Sequence, residues 1–92
     1  MATFWLTFAD PNKPVGSKFL GVIIVEAGDL DAAIARTEAA GINPGGEITA
    51  EDISDLPPPR EWFDRLLSDK EARDVNRVMC KQRRAMEDDE DY

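Results

Sequence analysis

The first half of the chain consists of short apolar segments separated by turn-forming residues. Residues 3–9 alternate between apolar and more polar positions, which is the two-residue period of a half-buried strand. Residues 19–25 are apolar at every position and rich in β-branched side chains, as is typical of a strand covered on both faces. We therefore expect two strands that pair antiparallel across a proline-containing loop, Asp10 to Ser17.

A helix and a third strand are predicted next. Asp29 suits a helix N-cap, small and apolar side chains then recur every three or four positions, and Gly41 suits a left-handed helix stop. The pattern predicts a helix from about Leu30 to Ala40, and the segment from Asn43 to Gly46 predicts a turn. The strand that follows, from Glu47, is short and acidic, which favours a sheet edge where charges discourage pairing with other chains.

The second half of the chain predicts two helices after a stiff proline spacer that ends at Pro59. Apolar side chains at helical spacing indicate a first helix from Arg60 to Leu67. Ser68 and Glu71 form a capping-box pattern, so a second helix should begin there and end near Arg84 or a little beyond. Residues 87–92 are acidic and without periodicity, which predicts a tail that is disordered when free.

These elements predict one small α+β domain, consistent with a length of 92 residues. Its core, residues 1–56, is a β-β-α-β unit in which one helix packs on a small antiparallel sheet. Residues 57–86 form the proline-rich spacer and helical segment, and residues 87–92 form the acidic tail.

Charge is unevenly distributed around a net value of −8. Residues 1–59 carry three basic and nine acidic groups, residues 60–86 carry eight and five, and the tail adds five acidic groups. Phosphate contacts supply most nonspecific affinity for nucleic acid, and an acidic body repels phosphate. The charge distribution therefore disfavours a nucleic-acid partner.

The residue types predict a protein that is not an enzyme. The chain has no histidine, which removes the commonest general base and metal ligand, and its single cysteine, Cys80, can form no internal disulfide. The acidic residues around Glu51 match no calcium-loop spacing. We predict no catalytic residue, metal site or cofactor.

The chain also predicts a cytoplasmic protein that does not bind membranes. Its first residues lack the basic flank and apolar run of a secretory signal. No segment approaches the roughly twenty apolar residues of a membrane-spanning helix.

Two groups of side chains are candidates for contacting a protein partner. Tryptophan-centred apolar patches dominate interface energies, and the first predicted C-terminal helix carries such a group: Trp62, Phe63, Leu66 and Leu67. The next helix carries a basic stripe: Arg73, Arg77, Lys81 and Arg84. Three interpretations of the stripe stay open, namely an ordinary solvated face, which is favoured, a nucleic-acid surface, and a contact for the acidic tail or an acidic partner.

A second hypothesis is a small-ligand or nucleotide-binding domain. Asn43, Gly45 and Gly46 could direct backbone amides at an anion, together with the loop 10–17. Phosphate loops usually precede a helix, whereas this turn follows one, so an ordinary turn is favoured.

Four blocks of sequence, within Phe4–Phe8, Phe19–Val22, Gly41–Glu47 and Leu66–Ser68, resemble those of small uncharacterised proteins from bacterial genomes and their phages. The resemblance covers about residues 3–68. It implies a bacterial or phage cytosol and carries no activity and no site. In that context short acidic chains often bind a host protein, so the leading hypothesis is a protein-binding module, of the inhibitor or adaptor kind. A homodimer also stays open, since an edge strand invites self-association.

Overall fold

The computed structural model describes residues 1–14 and 16–90, with side chains given as far as residue 83. The elements are β1 (Ala2–Ala9), β2 (Phe19–Ala27), α1 (Leu30–Ala39), β3 (Glu47–Asp52) and α2 (Asp69–Glu90), with a short 3-10 turn at Arg60–Trp62 before α2. The strands form one antiparallel sheet. The predicted α+β class is confirmed.

The strand that is first in sequence lies in the middle of the sheet, in the order β2-β1-β3. Trp5 of β1 pairs with Ile24 of β2 on one side and with Glu51 of β3 on the other. Neighbouring residues of a strand point to opposite faces, so Leu6 and Trp5 lie in different layers of the molecule.

Two apolar layers cover the two faces of the sheet. The layer under α1 contains Leu6, Phe8, Ile23, Val25, Ala27 and Ala33. The layer under α2 contains Val22, Ile24, Ile53, Leu67, Ala72, Val75 and Met79. Because β2 supplies side chains to both layers, the continuous apolar run of residues 19–25 is explained by burial on both faces.

The ends of α1 confirm the local signals in the sequence. The Asp29 carboxylate accepts a hydrogen bond from the Ala32 amide at 2.8 Å, as an N-cap does. At the other end Gly41 has φ +72°, and the Ile42 amide donates to the Thr37 carbonyl at 3.2 Å. These are the features of a helix that ends in a left-handed residue.

The predicted helix from Arg60 to Leu67 is wrong beyond its first turn. After the 3-10 turn the chain meets the outer edge of β2 at two separate bridges, a parallel one at Phe63 and an antiparallel one at Leu67. At the second bridge the Leu67 amide donates to the Val22 carbonyl at 2.7 Å and the Val22 amide donates back at 3.1 Å. Three residues before Leu67, the Asp64 amide donates to the Ile24 carbonyl at 2.9 Å. The segment does not continue as a helix because the unpaired backbone groups of β2 offer it hydrogen bonds that a short helix would not satisfy.

Ion pairs hold this segment, residues 60–67, against the rest of the fold. Asp64 has φ +57°, and its carboxylate accepts two hydrogen bonds from the Arg36 guanidinium of α1, at 2.9 and 3.2 Å. Arg60 pairs with Glu26 of β2. The hydrogen bond that Arg36 donates to the Asp64 carboxylate is the main reason that the pKa of Arg36 lies above its ordinary value.

The capping box at the start of α2 is confirmed. The Glu71 amide donates to the Ser68 hydroxyl and the Ser68 amide donates to the Glu71 carboxylate, both at 3.2 Å. The helix continues to Glu90, past the expected end near Arg84. Residues 91 and 92 and the side chains of residues 84–90 lie outside the described part, so the tail's disorder stays a prediction. No helix within residues 1–14 and 16–90 is long and apolar enough to span a bilayer.

Candidate functional site

The apolar group predicted to contact a partner lies largely against the core. Leu67 is 0% exposed and belongs to the layer under α2, whereas its neighbour Leu66 is 40% exposed and lies over Gly21. Adjacent residues of an extended segment point in opposite directions, so one leucine faces inward and the other outward. Leu67 therefore presents no surface to a partner.

The two aromatic members of that group are partly covered. Trp62 and Phe63 pack against the layer under α2, and each carries a guanidinium over its ring, Arg65 at 5.6 Å and Arg60 at 5.0 Å from the ring centroid. Arg65 also pairs with Glu71 at 2.8 Å. A cavity of about 210 Å³ lies beside Trp62. Its lining includes Arg65 and Glu71, so the contacts just described form its walls.

The members of the basic stripe whose side chains the structure describes, Arg73, Arg77 and Lys81, are exposed on α2. Arg73 pairs with Asp69 at 3.0 Å and Arg77 with Asp74 at 3.7 Å, while Lys81 is exposed. The side chain of Arg84 lies outside the described residues. Two of the cations thus have acidic neighbours on their own helix.

The turn from Asn43 to Gly46, which the small-ligand alternative assigns to an anion, is held by contacts within the fold. The Asn43 amide group donates to the Thr37 hydroxyl at 3.0 Å, and its carbonyl oxygen accepts from the Gly45 amide at 2.7 Å. At Gly46, a Cβ atom would collide with the Ala9 carbonyl oxygen. The structure thus places the turn beside the end of β1, with the Gly45 amide already bonded.

The loop 10–17 lies at the same end of the sheet, since it follows β1 directly. The Asp10 carboxylate accepts from the Asn12 amide at 2.9 Å, and the Asp10 carbonyl accepts from the Lys13 amide at 3.3 Å. Residue 15 of this loop lies outside the described part. The amides of Asn12 and Lys13 are therefore engaged within the loop and do not converge on a common point.

The sequence patterns do not predict a groove that the structure places between α2 and the sheet. It has a volume of about 300 Å³. The sheet side is formed by Trp5 and Thr7 of β1, Phe19 and Val22 of β2, Glu51 of β3, and Ile53. The helix side is formed by Ala72, Arg73, Asn76 and Met79.

This groove combines an apolar floor with a polar rim. The indole N–H of Trp5 donates to the Thr7 hydroxyl at 3.2 Å, so the polar edge of the ring is satisfied within the protein. Phe19 is 39% exposed at one end. Glu51 makes no ion pair with any side chain among residues 1–83 that the structure describes, whereas Arg73 already has Asp69. The rim thus offers an uncompensated carboxylate to an occupant.

The groove exists because α2 packs on β2 and leaves β3 largely uncovered. Five of the six β3 residues are exposed, and Ile48 is half-buried. The only sequence signal for the groove was the alternation in β1, which placed Trp5 and Thr7 on one face. The position of α2 across that face depends on tertiary packing, which periodicity does not specify.

Chemically reactive groups do not converge in the groove. No cluster of three or more histidine, cysteine, aspartate or glutamate side chains suited to a metal occurs in the part searched, which is the described part. Cys80 is exposed on α2 and is not among the groove residues. The arrangement suits binding by shape, apolar contact and charge.

Comparisons with protein-family models, with curated proteins and with solved structures find no match to this chain.

Proposed function

We propose that this protein is a non-enzymatic protein-binding module and that its binding surface is the groove between α2 and the sheet. The observation that carries the proposal is the composition of that groove, in which Trp5, Phe19 and Met79 supply apolar surface beside polar groups of β3 and α2. Aromatic surface surrounded by polar groups is typical of the centre of a protein interface. By binding a segment of another protein in this groove, the module would act as an inhibitor or adaptor in the cytoplasm.

The shape of the groove favours a segment of another chain as its occupant. A ligand pocket buries most of a small molecule, whereas this groove is open along the uncovered β3 strand. An occupant can therefore extend beyond the groove over the neighbouring sheet surface. The absence of histidine and the exposed position of Cys80 also favour binding over catalysis.

Affinity capture from the source cell with two matched variants tests this proposal. Phe19→Ala removes an exposed ring from the groove, and Leu30→Ala removes a side chain of similar exposure, 41%, at the start of α1. We expect a partner that is retained by the natural protein and by Leu30→Ala but lost by Phe19→Ala. Both variants must first show a natural circular dichroism spectrum.

Two results would contradict the proposal. One is capture that both substitutions weaken equally, and the other is the absence of any reproducible partner.

Thermal-shift screening against nucleotides and anions tests the small-ligand alternative, because a ligand at a hundred times its dissociation constant stabilises a protein by about 2.7 kcal/mol. A stabilising nucleotide whose effect disappears in an Asn43→Ala variant would favour that alternative.

A further inference from the structure

The two outer edges of the sheet differ. The outer edge of β2 is paired with the segment 60–67 at two positions, Val22 with Leu67 and Ile24 with Phe63. The outer edge of β3 has no strand partner within the described part of the chain. An open edge presents unpaired N–H and C=O groups that can pair with another extended segment.

The register of β3 identifies which backbone groups face outward. The Ile53 amide, just past β3, donates inward to the Thr3 carbonyl at 2.8 Å. In an antiparallel pair the direction of these bonds alternates along the strand, so Glu51 and Thr49 also bond inward. The outward-facing backbone groups are therefore those of Ile48, Ala50 and Asp52.

The charge of this edge indicates what kind of chain would pair with it. Glu47 and Glu51 share the face that continues into the groove, and Asp52 lies on the opposite face. The Asp52 carboxylate accepts hydrogen bonds from the hydroxyl of Ser54 and, second in effect, from its amide, and these hold the pKa of Asp52 below its ordinary value of 3.8. Two copies of β3 placed edge to edge would bring like charges together, whereas a basic chain would be attracted.

We propose that the partner contributes an extended basic segment, which adds as a fourth strand to the outer edge of β3 and places lysine or arginine side chains beside Glu51 at the groove. This inference rests on the proposed function, since it specifies the partner of the same surface. Side chains on one face of the added strand lie over the groove. Trp5, which pairs with Glu51 on the neighbouring strand and lines the same groove, offers an aromatic ring to a cation there. The net charge of −6 on residues 1–59 favours the same partner at longer range.

A synthetic peptide tests the inference with the whole chain. The probe is an eight-residue peptide of alternating lysine and valine with blocked ends, and its control replaces every lysine by glutamate. We expect the lysine peptide to bind, to slow hydrogen exchange at the Ala50 and Asp52 amides, and to lose affinity as salt rises. The glutamate peptide should not bind.

Three variants separate strand pairing from general attraction between opposite charges. Glu51→Gln should weaken binding roughly fivefold, whereas Glu38→Gln, the same charge change on α1, should leave it unchanged. Ala50→Pro removes an outward amide without removing a bond to β1, so it should abolish binding while the fold remains. An amide NMR spectrum of Ala50→Pro that matches the spectrum of the natural protein outside β3 confirms that the fold is retained.

Binding of the glutamate peptide, equal effects of Glu51→Gln and Glu38→Gln, or exchange protection away from β3 would each overturn the inference. Protection of β3 amides that depends on protein concentration without peptide would assign the edge to a second copy instead. The proposed function has a separate outcome: if Phe19→Ala abolishes capture of a partner while no β3 amide responds to the lysine peptide, the groove binds a protein of another kind.

Discussion

Gly46 lies where the turn after α1 meets the end of β1. Its φ is +79°, and the backbone of Ala9 occupies the space that a side chain would need. Gly45 has a similar φ of +83° but faces open space. The two neighbours thus share a backbone conformation and differ in whether the surroundings admit a Cβ atom.

Gly46→Ala should destabilise the fold more than Gly45→Ala. Both variants place an L side chain in the left-handed region, which costs about 1–2 kcal/mol. At Gly46 the collision with Ala9 should add about 1–3 kcal/mol, as overpacking does in well-packed regions. Urea unfolding of the two variants measures the difference, and equal free energies of unfolding would show that the Ala9 backbone yields without cost.

Residue-level signals predicted the two helix starts well. Asp29 and the Ser68–Glu71 pair act through hydrogen bonds that span three residues, so their effect is contained in the local sequence. Glu51 and Phe19 are different. Their proximity to α2 depends on how distant elements pack, and no local pattern contains that information.

At the scale of elements, the segment 60–67 carries the clearest lesson. Trp62, Phe63, Leu66 and Leu67 have helical spacing, and the sequence predicts a helix from it. The segment leaves the helical conformation after its first turn because the edge of β2, about forty residues earlier in the chain, supplies hydrogen bonds at Val22 and Ile24. A long-range contact overrides local propensity here, as it often does for short segments.

Substitution of Leu66 and of Leu67 distinguishes the observed pairing of this segment with β2 from the helix that the sequence predicts. Leu67→Ala should lower the free energy of unfolding by about 2–5 kcal/mol, because it leaves a cavity in the layer under α2. Leu66→Ala should cost less than about 1 kcal/mol, because that side chain is partly exposed. Chemical denaturation of both variants provides the comparison. Similar losses at the two positions would favour the helical arrangement, in which both face the same stripe.

At the scale of the whole molecule, acid should weaken the fold through carboxylates held by hydrogen bonds. The Ser68 amide, followed by its hydroxyl, is the main reason that the pKa of Glu71 lies below its ordinary value of 4.5. A carboxyl group with a lower pKa in the folded state stabilises the fold above its unfolded pKa. That contribution is lost as the pH falls through the folded pKa, because the unfolded chain binds the proton more readily.

Glu71→Gln should therefore be less stable than the natural protein at neutral pH, and the difference should narrow as the pH falls below 4.5. The glutamine retains an oxygen acceptor for the Ser68 amide but loses the titrating charge and the ion pair with Arg65. Thermal melts between pH 3 and pH 7 would measure the trend. If the melting temperatures of the two proteins change in parallel with pH, Glu71 has no role in the acid sensitivity of the fold.

The covered outer edge of β2 limits how copies of this protein can assemble. A sheet with two open edges can grow indefinitely, since every added copy offers a new edge to the next. Here the segment 60–67 occupies one side, so copies joined edge to edge through β3 would leave no further edge available in the described fold. Such an association would end at two copies, and a chain that offers β3 for recognition would thereby be protected from forming fibrils.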